Sequence, residues 1–291
     1  MKESDMSTNS AGADTVSSTK AKKSPWSIVF GVALTVLIIS IAVLLIIWFS
    51  YFQGQQKYQK LSEYFSIENE LKVDWDALRA INPDIVAWVY VPGTAINYPV
   101  VRGEDNEYYL THDFDGDQGW LANYGAIFMD YRNNPNWSDN AYFIYGHHMN
   151  DGSMFADVAG LRDQEFFDRC RTVYLLSPTA NFTLRTYALI HCPPDDPIVQ
   201  PLFGSPEEMA AYVQDKINRS VVDPGSIPQA NEINKSFAFA TCDNVGDARY
   251  VLFAYITDTS ADDLKGNVGL STDPEGETEL TSDLEEKTAA A

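Results

Sequence analysis

The sequence predicts a mainly β fold with peripheral helices: an eight-stranded β-barrel preceded by N-terminal helices and one transmembrane helix. Three observations lead to this fold class. An uncharged apolar run stands near the N-terminus, a polar helix-forming segment follows it, and eight short runs rich in β-branched and aromatic residues lie beyond residue 83. Hydrophobic residues make up 45% of the chain, which is enough for a sizeable core and excludes wholesale disorder.

The apolar run extends from Ile28 to Phe49, is about 22 residues long and carries no charge. As a helix it would measure roughly 33 Å, which matches the hydrocarbon core of a bilayer. A cleaved signal peptide has a shorter apolar region followed by small residues, whereas this run ends in aromatic residues that suit a membrane interface. We therefore predict an uncleaved transmembrane anchor over residues 25–50.

The lysines near this run predict its direction. Lys20, Lys22 and Lys23 precede the run, and neither Lys nor Arg follows it as far as Gln56. Because cationic residues beside a span stay on the cytoplasmic side, we predict a single-pass protein of the cell membrane with its N-terminus in the cytoplasm and the residues after about 50 outside. Residues 1–24, rich in Ser, Thr, Ala and Lys, predict a disordered cytoplasmic leader.

Helices are expected in three places after the anchor. Residues 51–82 predict an extracellular helical segment, because an imperfect apolar stripe runs through it and neither Gly nor Pro occurs between Gln55 and Asn82. A further helix fits 206–219, which opens with Pro and Glu as a first turn should, and a shorter one fits 163–169.

The eight β-like runs are short and mostly bounded by Gly, Pro, Asn or Asp. The segment SPTAN predicts a hairpin turn between two of them. Eight strands with few helices imply a closed or nearly closed barrel with helices outside it, which we assign to a domain over 83–258. The runs lie at 85–91, 95–101, 125–131, 140–146, 171–177, 182–190, 236–242 and 249–256.

The chain is strongly acidic, with a net charge of -21. This argues against nucleic acid as a partner, because phosphate binding needs clustered Lys and Arg; solubility is the simplest account of the acidity. Ten acidic residues and two lysines lie between Asp258 and Ala291, without an aromatic residue. Such a segment buries too little apolar surface to fold, so we predict an acidic disordered tail over 259–291.

The three cysteines leave at least one thiol unpaired within the chain. Cys170 and Cys192 flank the predicted hairpin, so a disulfide between them is geometrically possible, although a hairpin that turns at Thr179 leaves them out of register. Cys242 ends an apolar strand and Arg249 begins the next one, which predicts that both lie on one rim. A neighbouring cation lowers the pKa of a thiol, but a cysteine beside a turn is also typical of an inert apolar residue.

One predicted strand runs directly into Gly146, His147 and His148. Because neighbouring side chains of a strand point to opposite faces, only one histidine of the pair is expected to face a given cleft. Adjacent histidines cannot chelate as an i, i+4 pair does, and no cysteines or carboxylates at metal-ligand spacing accompany them, so we predict no metal and no other cofactor. A cysteine with a distant histidine is instead a candidate nucleophile–base pair. His112 and His191 are expected to be structural.

Four segments, in order along the chain, resemble the class B sortases. The resemblance covers about 175 residues, from Ile81 to Ile256. It implies a sortase-type β-barrel and a cysteine transpeptidase of the kind found in Gram-positive bacteria. The segments are INPDIVAWVYVPGTAINYPVVRGEDNEYYLTHDFDG (81–116), GAIFMDYRNN (125–134), YGHHMNDGSMF (145–155) and FATCDNVGDARYVLFAY (239–255).

The resemblance implies roles for single residues. Cys242 matches the position of the family's nucleophile, His147 that of its catalytic histidine, and Arg249 that of the arginine that holds the oxyanion. Substrate contacts are expected at the residues beside the nucleophile: Ala240, Thr241 and Asp243.

The reaction that the resemblance implies is the transfer of an exported protein. The enzyme would cleave a C-terminal sorting signal at a Thr carbonyl, form a thioacyl intermediate, and pass the protein to an amine of a cell-wall precursor or a pilin lysine. Two alternatives stay open: a thiol peptidase in which water resolves the thioester, and a catalytically idle sortase-like protein used for binding or assembly. Products formed with and without an amine distinguish the first, and labelling of Cys242 with a thiol reagent distinguishes the second.

Overall fold

The computed structural model describes residues 25–67, 71–118, 124–242 and 248–260, with Cys242 as backbone only. The predicted leader, Asp243 and the predicted tail beyond Ser260 lie outside these residues. The chain divides between Ile46 and Ile47 into two units, each of which is described by itself.

The secondary structure follows the chain in this order. The helices are α1 (Pro25–Leu61), α2 (Trp75–Ile81), α3 (Tyr108–Thr111), α4 (Ala156–Gly160), α5 (Gln164–Arg169) and α6 (Pro206–Asn218). The strands are β1 (Phe65–Ser66), β2 (Lys72–Val73), β3 (Ile85–Tyr90), β4 (Asn97–Val101), β5 (Ile127–Met129), β6 (Ala141–Gly146), β7 (Thr172–Leu176), β8 (Asn181–Cys192), β9 (Ser236–Cys242) and β10 (Arg249–Thr259).

The first unit contains the apolar part of α1. Its hydroxyl groups bond within the helix: Thr35 Oγ1 donates to the Gly31 carbonyl and Ser40 Oγ to the Val36 carbonyl, each at 2.9 Å. A helix satisfies its own backbone groups and therefore suits a medium without water. Among the described residues, one helix is long and apolar enough to cross a membrane, judged by length and composition. The predicted apolar helix is confirmed, whereas its place in a membrane stays a prediction.

The predicted helical segment 51–82 is not continuous, and this part of the prediction was wrong. α1 ends at Leu61, and the chain then enters the two-stranded ribbon of β1 and β2. Phe65 of β1 stacks on Trp88 of β3, with ring centroids 5.6 Å apart. Offset stacking adds to the burial of both rings, so the extended conformation is favoured here over continued helix.

Asp74 begins the second helical piece of this segment. Its side chain accepts a hydrogen bond of 3.0 Å from the Ala77 amide, and its own amide donates to the Tyr64 carbonyl at 2.9 Å. Asp is a favoured N-cap residue because its carboxylate satisfies an amide that the helix leaves without a partner. The sequence therefore carries a start signal for α2, directly before Trp75.

The second unit is built on a closed barrel of eight strands, in the order β10-β8-β7-β3-β4-β5-β6-β9. The pairs β4–β5 and β6–β9 are parallel and the other described pairs are antiparallel. Each predicted run supplies one barrel strand, and SPTAN forms the turn between β7 and β8. The predicted fold class is confirmed.

The strands of the barrel bury both of their faces. Alternate residues such as Phe237, Phe239 and Leu252 belong to the cluster that fills the barrel. The intervening ones, such as Ala238 and Val251, pack on the outside together with residues of α6. Burial of both faces explains why β9 and β10 read as continuous apolar runs and not as alternating ones.

Helix α6 covers part of the outer face and agrees with the prediction for 206–219. Ser205 caps it by accepting from the Glu208 amide at 3.3 Å. Val213 is fully buried and Met209 is 3% exposed. Each such side chain contributes about 1.5–3 kcal/mol by leaving water. The shorter predicted helix at 163–169 corresponds to α5.

Candidate active site

Three strands lie side by side, and the predicted catalytic residues lie on them or directly after them, near the same end of the barrel. β9 lies between β6 and β10. Gly146 pairs with Thr241 in the parallel ladder, and Arg249 pairs with Cys242 in the antiparallel one. Because His147 follows Gly146 directly and paired Cα atoms lie about 4.5–5.5 Å apart, the backbones of the three residues converge.

Strand alternation places two of these positions on the outer face of the barrel. Ala238 and Ala240 of β9 and Val251 of β10 belong to the apolar cluster beneath α6. Position 242 follows Ala240 by two residues, and Arg249 precedes Val251 by two, so both fall in step with that face.

The predicted substrate contacts lie beside the nucleophile position. Ala240 and Thr241 are almost fully buried, at 3% and 2% exposure. Within the part of the chain that the structure describes, the Thr241 hydroxyl has no hydrogen-bond partner. Asp243 lies outside the described residues. Burial limits what the two described side chains can offer to a ligand.

His147 is half-buried and held by backbone groups. Its Nε2 lies 2.7 Å from the carbonyl oxygen of Leu110. Since a carbonyl can only accept, Nε2 carries a proton in this contact. The His147 carbonyl accepts from the Phe155 amide at 2.9 Å, which fixes the loop that follows. Nδ1 is therefore the ring nitrogen that can exchange a proton with a substrate.

Gly125 leaves room for the His147 ring. It has a φ of +55°, and a Cβ at this position would lie 2.6 Å from the Tyr109 carbonyl oxygen and 3.0 Å from His147 Cδ2. Its own carbonyl accepts from the hydroxyl of Tyr58 on α1 at 2.5 Å. Only glycine combines this backbone angle with this close approach. The sequence offered a glycine before a strand but no sign that it borders the histidine.

The other three histidines make different contacts. His148 is half-buried, and its Nδ1 has no hydrogen-bond partner among the described residues. His112 stacks on Tyr108 with ring centroids 4.0 Å apart. His191 stacks on Tyr250 at 4.4 Å. The two stacked rings have the packing roles expected of structural histidines.

Arg249 is half-buried at the start of β10. Its Nη2 donates to the carbonyl of Pro194 at 2.5 Å, which ties the guanidinium to the loop after β8. A guanidinium carries five N–H donors in a planar fork, so other donors remain for a carbonyl or an oxyanion. Arg249 also pairs with Cys192 on β8, so its backbone lies between two cysteines, at 192 and 242.

No disulfide joins Cys170 and Cys192. β7 has 5 residues and β8 has 12, so β8 continues well past the strand that it pairs with. Cys192 at its far end lies opposite Arg249, whereas Cys170 precedes β7 with its Sγ near Gly93. The strand lengths thus separate the two thiols that the sequence allowed to pair. Burial, with a smaller effect of Asp196, raises the pKa of the Cys192 thiol.

Tyr145, two residues before His147, links the outer face to a buried carboxylate. Its hydroxyl donates to Asp130 at 2.9 Å, and Arg132 and Asn106 donate to the same carboxylate at 2.8 and 3.0 Å. Burial alone would raise the pKa of Asp130, but these hydrogen bonds hold it below its ordinary value. Sequence reasoning missed this network, because its members come from three separate segments.

A second charged cluster joins α1 to the segment after α3. Lys57 Nζ lies 2.7, 2.6 and 3.0 Å from carboxylate oxygens of Asp113, Asp115 and Asp117. These three carboxylates are close enough together to surround a cation, and the Lys57 ammonium lies among them. Burial and a hydrogen bond shared with Asp115 raise the pKa of Asp113 to about 6, although Lys57 opposes this.

Known proteins match the chain in both sequence and fold. Sortase B of Listeria monocytogenes is 29% identical over 190 residues, which cover 65% of this chain and 75% of that protein. The crystal structure of sortase B from Bacillus anthracis has a TM-score of 0.62 at 26% identity and covers 72% of this chain and 98% of that one. The chain is similar to class B sortases in both sequence and fold.

A third match supports the same fold. The Staphylococcus aureus sortase B–substrate complex has a TM-score of 0.64 at 23% identity and covers 72% of this chain and 98% of that one. No protein-family model matches the chain. The resemblance to class B sortases that the sequence predicted is confirmed.

Proposed function

We propose that the chain is an extracellular, membrane-anchored transpeptidase that cleaves a C-terminal sorting signal and transfers the exported protein to an amine. One observation carries the proposal: the ladders of β6, β9 and β10 bring the backbones of His147, Cys242 and Arg249 together. These residue types can supply a proton carrier, a nucleophile and an oxyanion donor. Similarity to class B sortases supports the same reaction class.

In the first half-reaction, the Cys242 thiolate attacks the carbonyl carbon of a threonine in the sorting signal. Negative charge moves to the carbonyl oxygen, where N–H groups of Arg249 stabilise it. The C–N bond then breaks as the imidazolium of His147 gives its Nδ1 proton to the leaving amine. The products are a thioester on Cys242, a neutral His147 and the released C-terminal peptide.

In the second half-reaction, the acceptor amine attacks the thioester carbonyl. Neutral His147 takes a proton from the attacking nitrogen, the C–S bond breaks, and Cys242 leaves as a thiolate. A new amide bond joins the exported protein to the acceptor, and the imidazolium–thiolate pair is restored. The scheme is a pure acyl transfer, and it requires no metal or other cofactor.

The proposed partners are exported proteins with a C-terminal sorting signal and an amine of a cell-wall precursor or of a pilin lysine. The structure of Staphylococcus aureus sortase B is that of a substrate complex, which supports the binding of a substrate by such a barrel. Contacts to the sorting signal are proposed for the residues next to Cys242: Ala240, Thr241 and Asp243.

The N-terminal helix supports a site of action at the membrane. The apolar part of α1 is long enough to cross a bilayer, and Lys20, Lys22 and Lys23 precede it. Since cationic flanks stay in the cytoplasm, the proposal places the N-terminus inside and the barrel outside, in an envelope of the Gram-positive type.

The test uses the full-length chain in detergent micelles and its Cys242→Ala variant. Each is incubated with Thr-containing sorting peptides and an amine, and the products are analysed by mass spectrometry. We expect a thioacyl adduct on Cys242 and an amine-ligated peptide, both absent from the variant. Cleavage without ligation would identify a thiol hydrolase. No adduct, together with a Cys242 that resists alkylation, would leave a sortase fold used for binding.

A further inference from the structure

A cleft of about 350 Å³ opens beside the loop that carries His147. Its walls are one face of α1, the region at the start of β4, and residues 151–153. Val100 of β4 pairs with Ile127 of β5, and the next residue of β5, Phe128, pairs with Tyr145 of β6. The start of β4 and the end of β6 therefore lie at the same end of the barrel, so the cleft adjoins the candidate active site.

One residue separates the cleft from the His147 ring. Tyr58 lines the cleft and donates to the Gly125 carbonyl, and a Cβ on Gly125 would lie 3.0 Å from His147 Cδ2. In the barrel, β6 lies between β5 and β9. The cleft is consequently on one side of His147, and the position of Cys242 is on the other.

The cleft is lined by phenol, amide and hydroxyl groups and by one carboxylate, that of Asp151. Tyr124 and Gln55 donate to this carboxylate at 2.5 and 3.1 Å. Burial alone would raise the pKa of Asp151, but hydrogen bonds from Ser153, Tyr124 and Gln55 hold it below its ordinary value, so the group is ionised at neutral pH. Among the described residues that line the cleft, none is cationic.

This lining has a definite chemical preference. Phenols and amides form hydrogen bonds with a peptide backbone, and tyrosine faces attract an ammonium group. An ionised carboxylate without a nearby cation repels acidic ligands. The cleft thus suits a short polar peptide that is neutral or cationic.

We infer that this cleft binds the peptide chain of the amine acceptor, which reaches the thioester by passing His147. The inference rests on the proposed function and deepens it. In the second half-reaction His147 removes a proton from the attacking nitrogen, so that nitrogen must approach within hydrogen-bond reach of the imidazole. A chain held in the cleft extends its amine towards His147 and, beyond it, towards the thioester.

The shared chemistry of the acceptor is a primary amine at the end of a polar chain. It can come from the α-amine of an unbranched peptide, as in a wall cross-bridge, or from the ε-amine of a protein lysine. Triglycine amide and Nα-acetyl-lysine amide represent the two sources. Whichever amine is used, the chain that carries it must bind in the cleft.

The first test places a large side chain in the cleft. Gln59 is exposed and lines the cleft, whereas Gln56 is exposed on the same helix and does not line it. With the full-length chain in micelles, we expect Gln59→Trp to raise the KM for triglycine amide about tenfold and to shift products from ligation to hydrolysis. Gln56→Trp is the matched control. An unchanged amine KM in Gln59→Trp would overturn the inference.

A second test measures binding without chemistry. Ligand-observed NMR follows triglycine amide with the full-length Cys242→Ala chain, alone and combined with Gln59→Trp. We expect binding that the tryptophan weakens, and stronger binding of triglycine amide than of Gly-Asp-Asp amide, a difference that Asp151→Asn reduces. If the tryptophan does not weaken binding of triglycine amide, the cleft is not the acceptor site, even if ligation occurs. Cleft-dependent binding by a chain that never cleaves sorting peptides would overturn the proposed function and leave a peptide-binding cleft.

Discussion

Arg249 lies directly opposite Cys242 in the antiparallel ladder of β9 and β10. Directly paired residues of such a ladder point to the same face of the sheet, so the guanidinium rises from the face to which position 242 belongs. The hydrogen bond from Nη2 to the Pro194 carbonyl fixes one edge of the planar group. The register of the two strands thus aligns a cation with the proposed nucleophile.

Replacing Arg249 by lysine keeps the charge but removes the planar fork of donors. We expect kcat/KM for a sorting peptide to fall about 10²–10³-fold, because losing one oxyanion donor has an effect of this size. The measurement is the rate of ligated-product formation, with Arg79→Lys on the exposed side of α2 as the control. A wild-type rate in Arg249→Lys would remove Arg249 from the oxyanion role.

Replacing Gly125 by alanine should displace His147. The new Cβ would approach the His147 ring and the Tyr109 carbonyl oxygen at 3.0 and 2.6 Å, in addition to the strain of a φ of +55°. Gly225→Ala is a matched control, since Gly225 has a φ of +62° and nothing within 4 Å of the added Cβ. We expect Gly225→Ala to lose about 1 kcal/mol of stability and Gly125→Ala to lose more, and only Gly125→Ala to lose transfer activity, roughly 10–100-fold.

Equal activity of the two variants would show that the ring tolerates the added methyl group. Thermal unfolding of both chains in the same detergent separates the two effects, because the strain of a positive φ is shared and the contacts of the new Cβ with Tyr109 and His147 are not. A pH–rate profile adds a further check, since a displaced imidazole alters the apparent pKa values of the reaction and a mere loss of stability does not.

Most of the barrel could be predicted because the local sequence marks each strand. Runs of β-branched and aromatic residues between turn residues marked all eight barrel strands, and β9 matched its predicted limits, 236–242. The ribbon that interrupts 51–82 was missed because the stacking of Phe65 on Trp88 is a contact between distant segments. Asp74 was the one local signal of that break.

The site was predictable in residue type but not in its surroundings. Cys242 and Arg249 come from one hairpin-like segment, so their proximity could be expected from strand pairing. The parallel pairing of β6 with β9 joins segments far apart in the chain, and periodicity carries no information on it. For the same reason, the contacts of Tyr58 with Gly125 and of Tyr145 with Asp130 had no sequence signal.

Replacing Lys57 by methionine should destabilise the attachment of α1 to the segment after α3. The ammonium lies among three carboxylates, of which Asp113 is 14% exposed and Asp117 is 75% exposed, so Asp113 is expected to dominate. We expect a loss of about 1–3 kcal/mol at pH 8. Lys60→Met, on the exposed face of the same helix, is the control.

The loss in Lys57→Met should shrink at low pH. A carboxyl whose pKa is raised in the folded state, as that of Asp113 is to about 6, favours folding when protonated and opposes it when ionised. Without Lys57 the carboxylates repel one another, so protonation at pH 5 relieves the variant more than the wild type. Thermal unfolding at pH 5 and pH 8 checks this; a difference in Tm that is independent of pH would contradict it.

Asp130 should make the protein sensitive to acid. Its pKa is held below the ordinary value because hydrogen bonds from Arg132, Asn106 and Tyr145 outweigh its burial. A carboxylate with a depressed folded pKa stabilises the fold above its unfolded pKa, near 3.8, and this contribution is lost as pH falls through the folded pKa. Asp130→Asn should therefore lose about 2 kcal/mol at pH 7 and show a flatter decline of stability below pH 4. Chemical unfolding from pH 7 to pH 3 measures both, and parallel declines of variant and wild type would show that Asp130 does not set the acid limit.

Because Tyr145 precedes His147 by two residues, Asp130→Asn should also slow transfer. Tyr145→Phe, which removes the same hydrogen bond from its other end, should reproduce that slowing.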